Sequence, residues 1–319
     1  MSRKWLVNIL KVLLVTLLAF AIVKQVFLVD DFKQTWNFFR SNISNNAGWF
    51  AIIVFLLMLL NWSLESEKWR LLISHIEQIS FITAFKAILC GITLGMVTPN
   101  RIGEYGGRYF YLKKSGIIQT ITVTLIGSFS QIIATLFFGL LGMMFYTVMF
   151  NQQSSYVNLV IYFFSLFSLL ILILSFFNLR WLYNLIRELK RMKKIHHYFD
   201  VIATYNTRSF LKLLLLSIIR YMIFSLQYLL LLKLFGVGGN MFNQFIMITL
   251  IFLVQTIIPS FAIAELGIRG NVALFFLGSL SSNHLAIWSA ASSIWLVNLV
   301  IPSIIGGVLL LNLKLKTTE

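Results

Sequence analysis

Three stretches of this chain, Ile117 to Phe150, Val157 to Asn178 and Leu285 to Leu311, contain no charged residue. Each is long enough to cross a bilayer, which needs about 20 apolar residues. A chain in hydrocarbon must pair its backbone polar groups internally, so it forms helices or a closed barrel. A barrel would show alternating segments of about ten residues. The Leu, Ile and Phe runs here are unbroken and flanked by Gly and Trp, which predicts helices. With 59% hydrophobic and 11% charged residues over 319 positions, and a mean hydropathy of +0.88, no soluble domain could bury the apolar surface. The expected fold is an all-α integral membrane protein, a single polytopic domain over 1–319.

The net charge of +16 is topological and implies no nucleic acid. The bases concentrate in loops and at helix ends, as cytoplasmic segments require, with attraction to anionic headgroups a second effect. Arg3, Lys4 and Lys11 precede an apolar run ending near Val29. Ala19-Phe-Ala21 matches a signal-peptidase site, but the run continues past it, which predicts an uncleaved anchor. Arg180 to Lys212 holds eight bases against two acids, so 179–212 reads as a cytoplasmic loop. Its Leu182-Leu185-Ile186-Leu189 spacing fits an amphipathic surface helix. The weakly charged stretches 30–48, 151–156, 236–240 and 281–283 read as external. Both termini are then cytoplasmic, in a plasma (inner) membrane.

One motif interrupts the hydrocarbon: Thr98-Pro-Asn-Arg-Ile-Gly-Glu-Tyr-Gly-Gly-Arg108. A second copy is Pro259-Ser-Phe-Ala-Ile-Ala-Glu-Leu-Gly-Ile-Arg269. Two Pro…Glu-x-x-x-Arg units in a chain with only three prolines imply an internal duplication. Apolar limbs flank each motif, and the flanks suggest a hairpin entering from the cytoplasm at 81–114 and one entering from outside at 242–280. The expected architecture is about six full transmembrane helices plus two re-entrant hairpins. These form an inverted repeat, with units near 49–150 and 213–311, an arrangement common in secondary transporters.

On a helix, Arg101, Glu104 and Arg108 share one face, and Glu104 can pair with either Arg. Glu265 and Arg269 repeat the i, i+4 pair. Thr98 is expected to cap a helix whose first residue is Pro99, and Ser260 follows Pro259 similarly. Gly103, Gly106, Gly107 and Gly267 are expected to allow close helix approach at the tips. Ala262 stands where Arg101 would repeat, so the two motifs carry three Arg against two Glu, a balance that points to an anionic ligand. Two half-helix N-termini and the arginine forks suit a phosphate. The alternative is that the Glu–Arg pairs only staple the hairpins. Glu65, Lys68 and Arg70 read as interfacial anchors, and Arg220 as a span residue outside the site. Gln131, Gln227, Gln255 and Asn298 read as interhelical hydrogen bonders. Pro302 with Gly306 and Gly307 predicts a kink.

The lone cysteine, Cys90, excludes a disulfide or a cysteine metal cluster, and His75, His196, His197 and His284 form none. No metal or other cofactor is expected.

The first motif, Lys68-Trp69-Arg70 ahead of it, and Pro259-Ser…Glu265-Leu-Gly-Ile-Arg269 resemble the lysylphosphatidylglycerol synthase transmembrane-region family. This is a flippase-like domain found alone or fused to an aminoacyl-transferase. Members usually carry Gly where Asn100 stands. The transferase is not expected here, as eight residues follow Leu311. The resemblance implies binding or movement of an anionic phospholipid, a headgroup-modified lipid or a polyprenyl-phosphate carrier. The favoured reading is a lipid translocase, not an enzyme. Two others stay open: a noncatalytic partner presenting lipid to a glycosyltransferase or other lipid-modifying enzyme, and an intramembrane enzyme. Against the enzyme, neither glutamate has an adjacent acid, and no histidine lies in a core span.

Overall fold

The computed structural model describes residues 48–150, 155–178, 204–258 and 262–313, with Thr16 and Asn37 as isolated positions. The expected N-terminal anchor, most of the basic loop, and Pro259 and Ser260 lie outside them. The described residues form helices and no strands. In chain order these are α1 (Gly48–Ile73), α2 (Phe81–Met96), α3 (Gly103–Tyr109), α4 (Ile117–Phe150) and α5 (Ser155–Phe177). There follow α6 (Thr207–Leu234), α7 (Met241–Ile257), α8 (Ala262–Leu277), α9 (His284–Trp295) and α10 (Ile301–Leu311). A 3₁₀ turn, Pro99–Arg101, joins α2 to α3, and a π-turn, Leu296–Val300, joins α9 to α10 into one rod.

Five of these elements are long and apolar enough to cross a membrane: α1, α4, α5, α6 and the α9–α10 rod. The protein is therefore a multi-pass membrane protein. In contrast, α2 and α7 have 16 and 17 residues. At 1.5 Å per residue they rise about 25 Å, short of a hydrocarbon core of about 30 Å. Short polar residues start several helices where the chain leaves a loop. Ser80, Asn206, Asn240 and Asn283 each accept a backbone N–H from the first turn of α2, α6, α7 and α9 respectively.

Lipid is as apolar as leucine, so helix association rests on close packing and polar contacts. The spans that follow the hairpins cross over. α4 packs on α7 of the other half, and α10 packs on α2, while α1 packs on α6. The first two crossings use glycine. A Cβ at Gly139 would meet the Leu253 side chain at 2.7 Å, and one at Gly306 would collide with the backbone carbonyl of Leu89. Thr93 on α2 donates to the Ser303 carbonyl at 2.7 Å, fixing that contact. α5 lies outside this core: 11% of its spanning window is buried, so it faces lipid.

The expected kink in the last span takes another form. Pro302 falls in the first turn of α10, and the Asn298 carbonyl four residues back, which Pro302 has no N–H to reach, accepts from Trp62 Nε1. The irregularity is the π-turn just before it, and Gly306 serves packing instead.

Outside the membrane helices, the Glu77 carboxylate accepts backbone N–H groups of Lys113, Lys114 and Ser115 at 2.7–3.2 Å. It thereby ties the α1–α2 loop to the exit of α3. Partial burial opposes its ionisation, but these donors hold the carboxyl below its usual range.

Candidate functional site

The first motif forms a tight helical hairpin. α3 packs back along α2, and a Cβ at Gly107 would lie 2.6 Å from the Cys90 carbonyl and Gly91 nitrogen. At the tip, Asn100 and Arg101 both adopt left-handed backbone, with φ of 50° and 58°. Asn is among the few non-glycine residues that tolerate this region, and Arg is not. Strain of this kind collects at functional sites. Thr98 Oγ1 accepts the Gly103 N–H at 2.8 Å and donates to the Leu94 carbonyl at 2.9 Å, joining the end of α2 to the start of α3. This replaces the expected cap with Pro99 at the first helical position. α3 has seven residues, too short to offer the N-terminal anion site expected of it.

Arg101 therefore sits in the turn rather than on a helical face, yet Glu104 still pairs with both arginines. Its Oε1 lies 2.5 Å from Arg101 Nη2, and its Oε2 lies 3.5 Å from Arg108 Nη2. Arg101 Nε and Nη1 make no hydrogen bond among the described residues.

In the second motif, Glu265 Oε1 accepts from Arg269 Nη2 at 2.7 Å and Nε at 3.1 Å. Gln255 on α7 accepts from Arg269 Nη1 at 3.2 Å. The described part of the motif, from Ala262 to Arg269, opens α8 and continues without a break into the limb that follows. Gly103 and Gly107 serve close approach; among the described residues a Cβ at Gly106 or Gly267 would meet nothing within 4 Å.

Two assignments from sequence are overturned outright. Glu65 and Lys68 are not interfacial anchors: they are 5% and 1% exposed, and Lys68 Nζ lies 2.8 Å from Glu65 Oε2. Nor is Arg220 outside the site. Its Nη1 donates to Glu65 at 2.8 Å and its Nε to Asn61 at 2.6 Å. Its guanidinium stands 4.9 Å above the Trp62 ring. Arg108 reaches Glu65 at 3.4 Å, so Glu65 joins α1, α6 and the first hairpin. Arg70 does keep the expected surface role, paired with Glu67 at 2.7 Å. The sequence signal for Arg220 was a lone arginine in an apolar span, a functional hint by default.

The amides do bond between helices, as expected. Gln227 donates to the Val54 carbonyl, Gln131 donates to the Ser217 carbonyl, and Asn61 donates to Asn298. Trp62 Nε1 donates to the Asn298 carbonyl at 3.2 Å.

These contacts surround a partly open cavity of about 290 Å³. Arg101, Arg220 and Arg269 line it, with Asn61, Gln131, Gln255, Asn298, Thr135 and Thr256. Aromatic rings of Trp62, Tyr221, Phe224, Phe252 and Trp295 complete the wall. No acid among the described residues lines it; the carboxylates hold the guanidinium groups from behind. Arg101 lies within electrostatic reach of Glu265 and Glu65 as well as Glu104, so the two motifs and α1 share one centre. Five bases (Lys68, Arg101, Arg108, Arg220, Arg269) stand against three acids (Glu65, Glu104, Glu265). Among the described residues no cluster of His, Cys, Asp and Glu could hold a metal.

No curated protein matches the chain. A family profile does, the lysylphosphatidylglycerol synthase TM region, over residues 8–306. That match spans both hairpins, the charged centre and every described helix but the last residues of α10. The chain therefore belongs to the lysylphosphatidylglycerol synthase transmembrane-region family, whose context is membrane lipid.

Proposed function

We propose that the protein is a lipid translocase that acts without bond-breaking chemistry. The phosphate-bearing headgroup of an anionic lipid, modified lipid or isoprenoid-phosphate carrier enters the arginine-lined cavity, while the acyl or prenyl tails stay in the bilayer. The observation that carries this reading is the lining itself: three guanidinium groups from three segments, with the acids turned away. Guanidinium forks match phosphate oxygens in pairs, and a buried excess of positive charge calls for an anionic ligand. The cavity volume sits at the lower end of the roughly 300–1,000 Å³ typical of ligand pockets, enough for a headgroup and too small for a lipid. Arg101 is assigned to the phosphate because two of its nitrogens are uncommitted among the described residues. Arg108, Glu104, Glu265 and Arg269, with Thr98 at the tip, shape and support the same site.

The reciprocal packing of α4 on α7 and α10 on α2 supports an inverted repeat with two re-entrant hairpins, and alternating access by rocking of the halves. The orientation rests on basic-residue asymmetry. Cysteines at Gln153 and Ser282 should react with an impermeant thiol reagent in intact cells, and one at Lys193 should not. Labelling at 193 would reverse the topology.

Transport is tested in proteoliposomes with a headgroup-labelled anionic lipid. Arg101→Ala should elute as a monodisperse species yet lose transport, and Arg101→Lys should retain part of it. Wild-type rates for Arg101→Ala would reduce the motif to a structural staple.

A further inference from the structure

Lys68 is a buried base with no part in lining the cavity. Beyond Glu65, its Nζ has no hydrogen-bond acceptor among the described residues. An ammonium carries three donors, so the charged form leaves two of them unserved in a buried place, which is costly. The charges that face it are Glu65 on its own helix, Arg108 on α3 and Arg220 on α6, with Glu104 behind Arg108. Elsewhere on α1, Glu67 and Arg70 pair with each other. From α4 it meets Gly127, and neither α4 nor the π-turn carries a charged residue. On α2, Lys86 is exposed, and the Cys90 thiol lies 3.5 Å from both the Tyr111 hydroxyl and the Gly306 carbonyl.

Two donors compete for one oxygen. Lys68 Nζ and Arg220 Nη1 both lie 2.8 Å from Glu65 Oε2, and Arg220 also lines the cavity. A phosphate held by Arg220 draws that guanidinium away from the shared oxygen, which then serves a charged Lys68. With the cavity empty, the lysine is the base able to shed its proton, because an arginine keeps its charge throughout. The charge count agrees. With Lys68 neutral, Arg101, Arg108, Arg220 and Arg269 stand against Glu65, Glu104 and Glu265. With Lys68 charged and a singly charged phosphodiester bound, both sides gain one, and the surplus is unchanged.

We propose that Lys68 takes up a proton when an anionic phosphodiester enters the cavity and returns it when the headgroup leaves, so that a proton gradient drives translocation. Between water and Lys68 the proton passes over Glu65 Oε2, and the net change is one N–H bond made on binding and broken on release. This rests on the phosphate reading above and deepens it with a source of energy. Linkage is reciprocal: an anion that favours the proton is itself favoured by it.

The test is calorimetric titration of the purified full-length protein with short-chain phosphatidylglycerol, whose diester keeps one negative charge, in buffers of different ionisation enthalpy. The wild type should take up as much as about one proton per lipid, and affinity should fall as pH rises from about 6 to about 9. K68R keeps the charge and cannot exchange it, so it should bind without proton uptake and without pH dependence. K68M should bind more weakly, again without uptake, and K86M, at the exposed position on α2, should behave as the wild type. In proteoliposomes an imposed pH gradient should speed transport of labelled phosphatidylglycerol by the wild type and not by K68R. Binding to the wild type without proton uptake across that pH range, or uptake unchanged in K68R and K68M, would overturn the role of Lys68 and leave the anion site standing. Equal acceleration of K68R by the gradient would overturn the coupling. No binding of phosphatidylglycerol to the wild type would overturn the headgroup reading and this inference with it. Glycerophosphoglycerol, the same diester without tails, should bind far more weakly; equal binding would overturn the lipid as the source and make the ligand a free phosphate ester.

Discussion

The two hairpins carry the same Glu-x-x-x-Arg pair but hold it differently. In the first, α2 and α3 touch backbone to backbone, the tip is strained, and Glu104 is shared between Arg101 and Arg108. Arg108 also has Glu65. In the second, Arg269 relies on Glu265 and one amide, Gln255, along an unbroken helix. The same Glu-x-x-x-Arg spacing thus sits in one hairpin tied into a charge network through α1 and in one that is nearly self-contained. The first is a rigid support for Arg101. The second holds its arginine through fewer partners.

The largest expected effect comes from removing the acid at the centre of that network. Glu65→Gln leaves Lys68, Arg108 and Arg220 together in a buried site, and breaking such an arrangement costs roughly 3–5 kcal/mol. Thermal unfolding in detergent should show it, with partial recovery in Glu65→Gln/Lys68→Met. Purely additive losses would mean that the two residues do not interact.

Next is the contrast between the glutamates of the two motifs. Glu265→Gln strips Arg269 of the one acid it meets among the described residues and should cost about 1.5–3 kcal/mol, the worth of hydrogen bonds to charged groups. Glu104→Gln should cost less, because Arg108 keeps Glu65. The reverse order would break the distinction between networked and self-contained hairpins.

Glycine sharpens it further. Gly107→Ala forces a methyl into the α2 backbone and should destabilise by about 1–3 kcal/mol as overpacking. Gly267→Ala meets open space and should gain up to about 1 kcal/mol from helix propensity. Equal effects would mean that neither hairpin is closely packed.

The smallest effect is acid dependence at the exit of the first hairpin. The Glu77 carboxyl is depressed in the folded protein, so its contribution is present above the ordinary carboxylate value and fades as pH falls through the lower folded value. Melting temperatures between pH 7 and pH 3 should fall less for Glu77→Gln than for the wild type. Parallel curves would remove Glu77 from the clamp.

Much of this was legible because it is local. The i, i+4 pairs and the limbs around each motif follow from spacing and residue type over a few positions, whereas the left-handed turn at Asn100 and Arg101 replaced an expected helix start. Arg220 and Glu65 meet across 155 positions, and no periodicity within either span announces that contact. Lys68 looked like an anchor because charges near span ends usually snorkel; the packing of α2, α4 and α6 on α1 encloses it. The glycines divided for the same reason: whether a missing side chain matters depends on what stands opposite, and nothing stands opposite Gly267.

The π-turn between α9 and α10 has a geometric consequence of its own. Its Ile301 N–H bonds to the Leu296 carbonyl, five residues back, so the rod holds one residue more than a regular helix would. Each residue turns a helix by about 100°. Deleting one position between Leu296 and Val300 would restore a regular ladder and swing Gly306 about 100° from the α2 backbone if the α9 end stayed fixed. The extra residue is therefore a phase adjuster. It lets the upper half of the rod face the charged cavity and the lower half face the opposite hairpin, two orientations that a single uninterrupted helix could not satisfy at once.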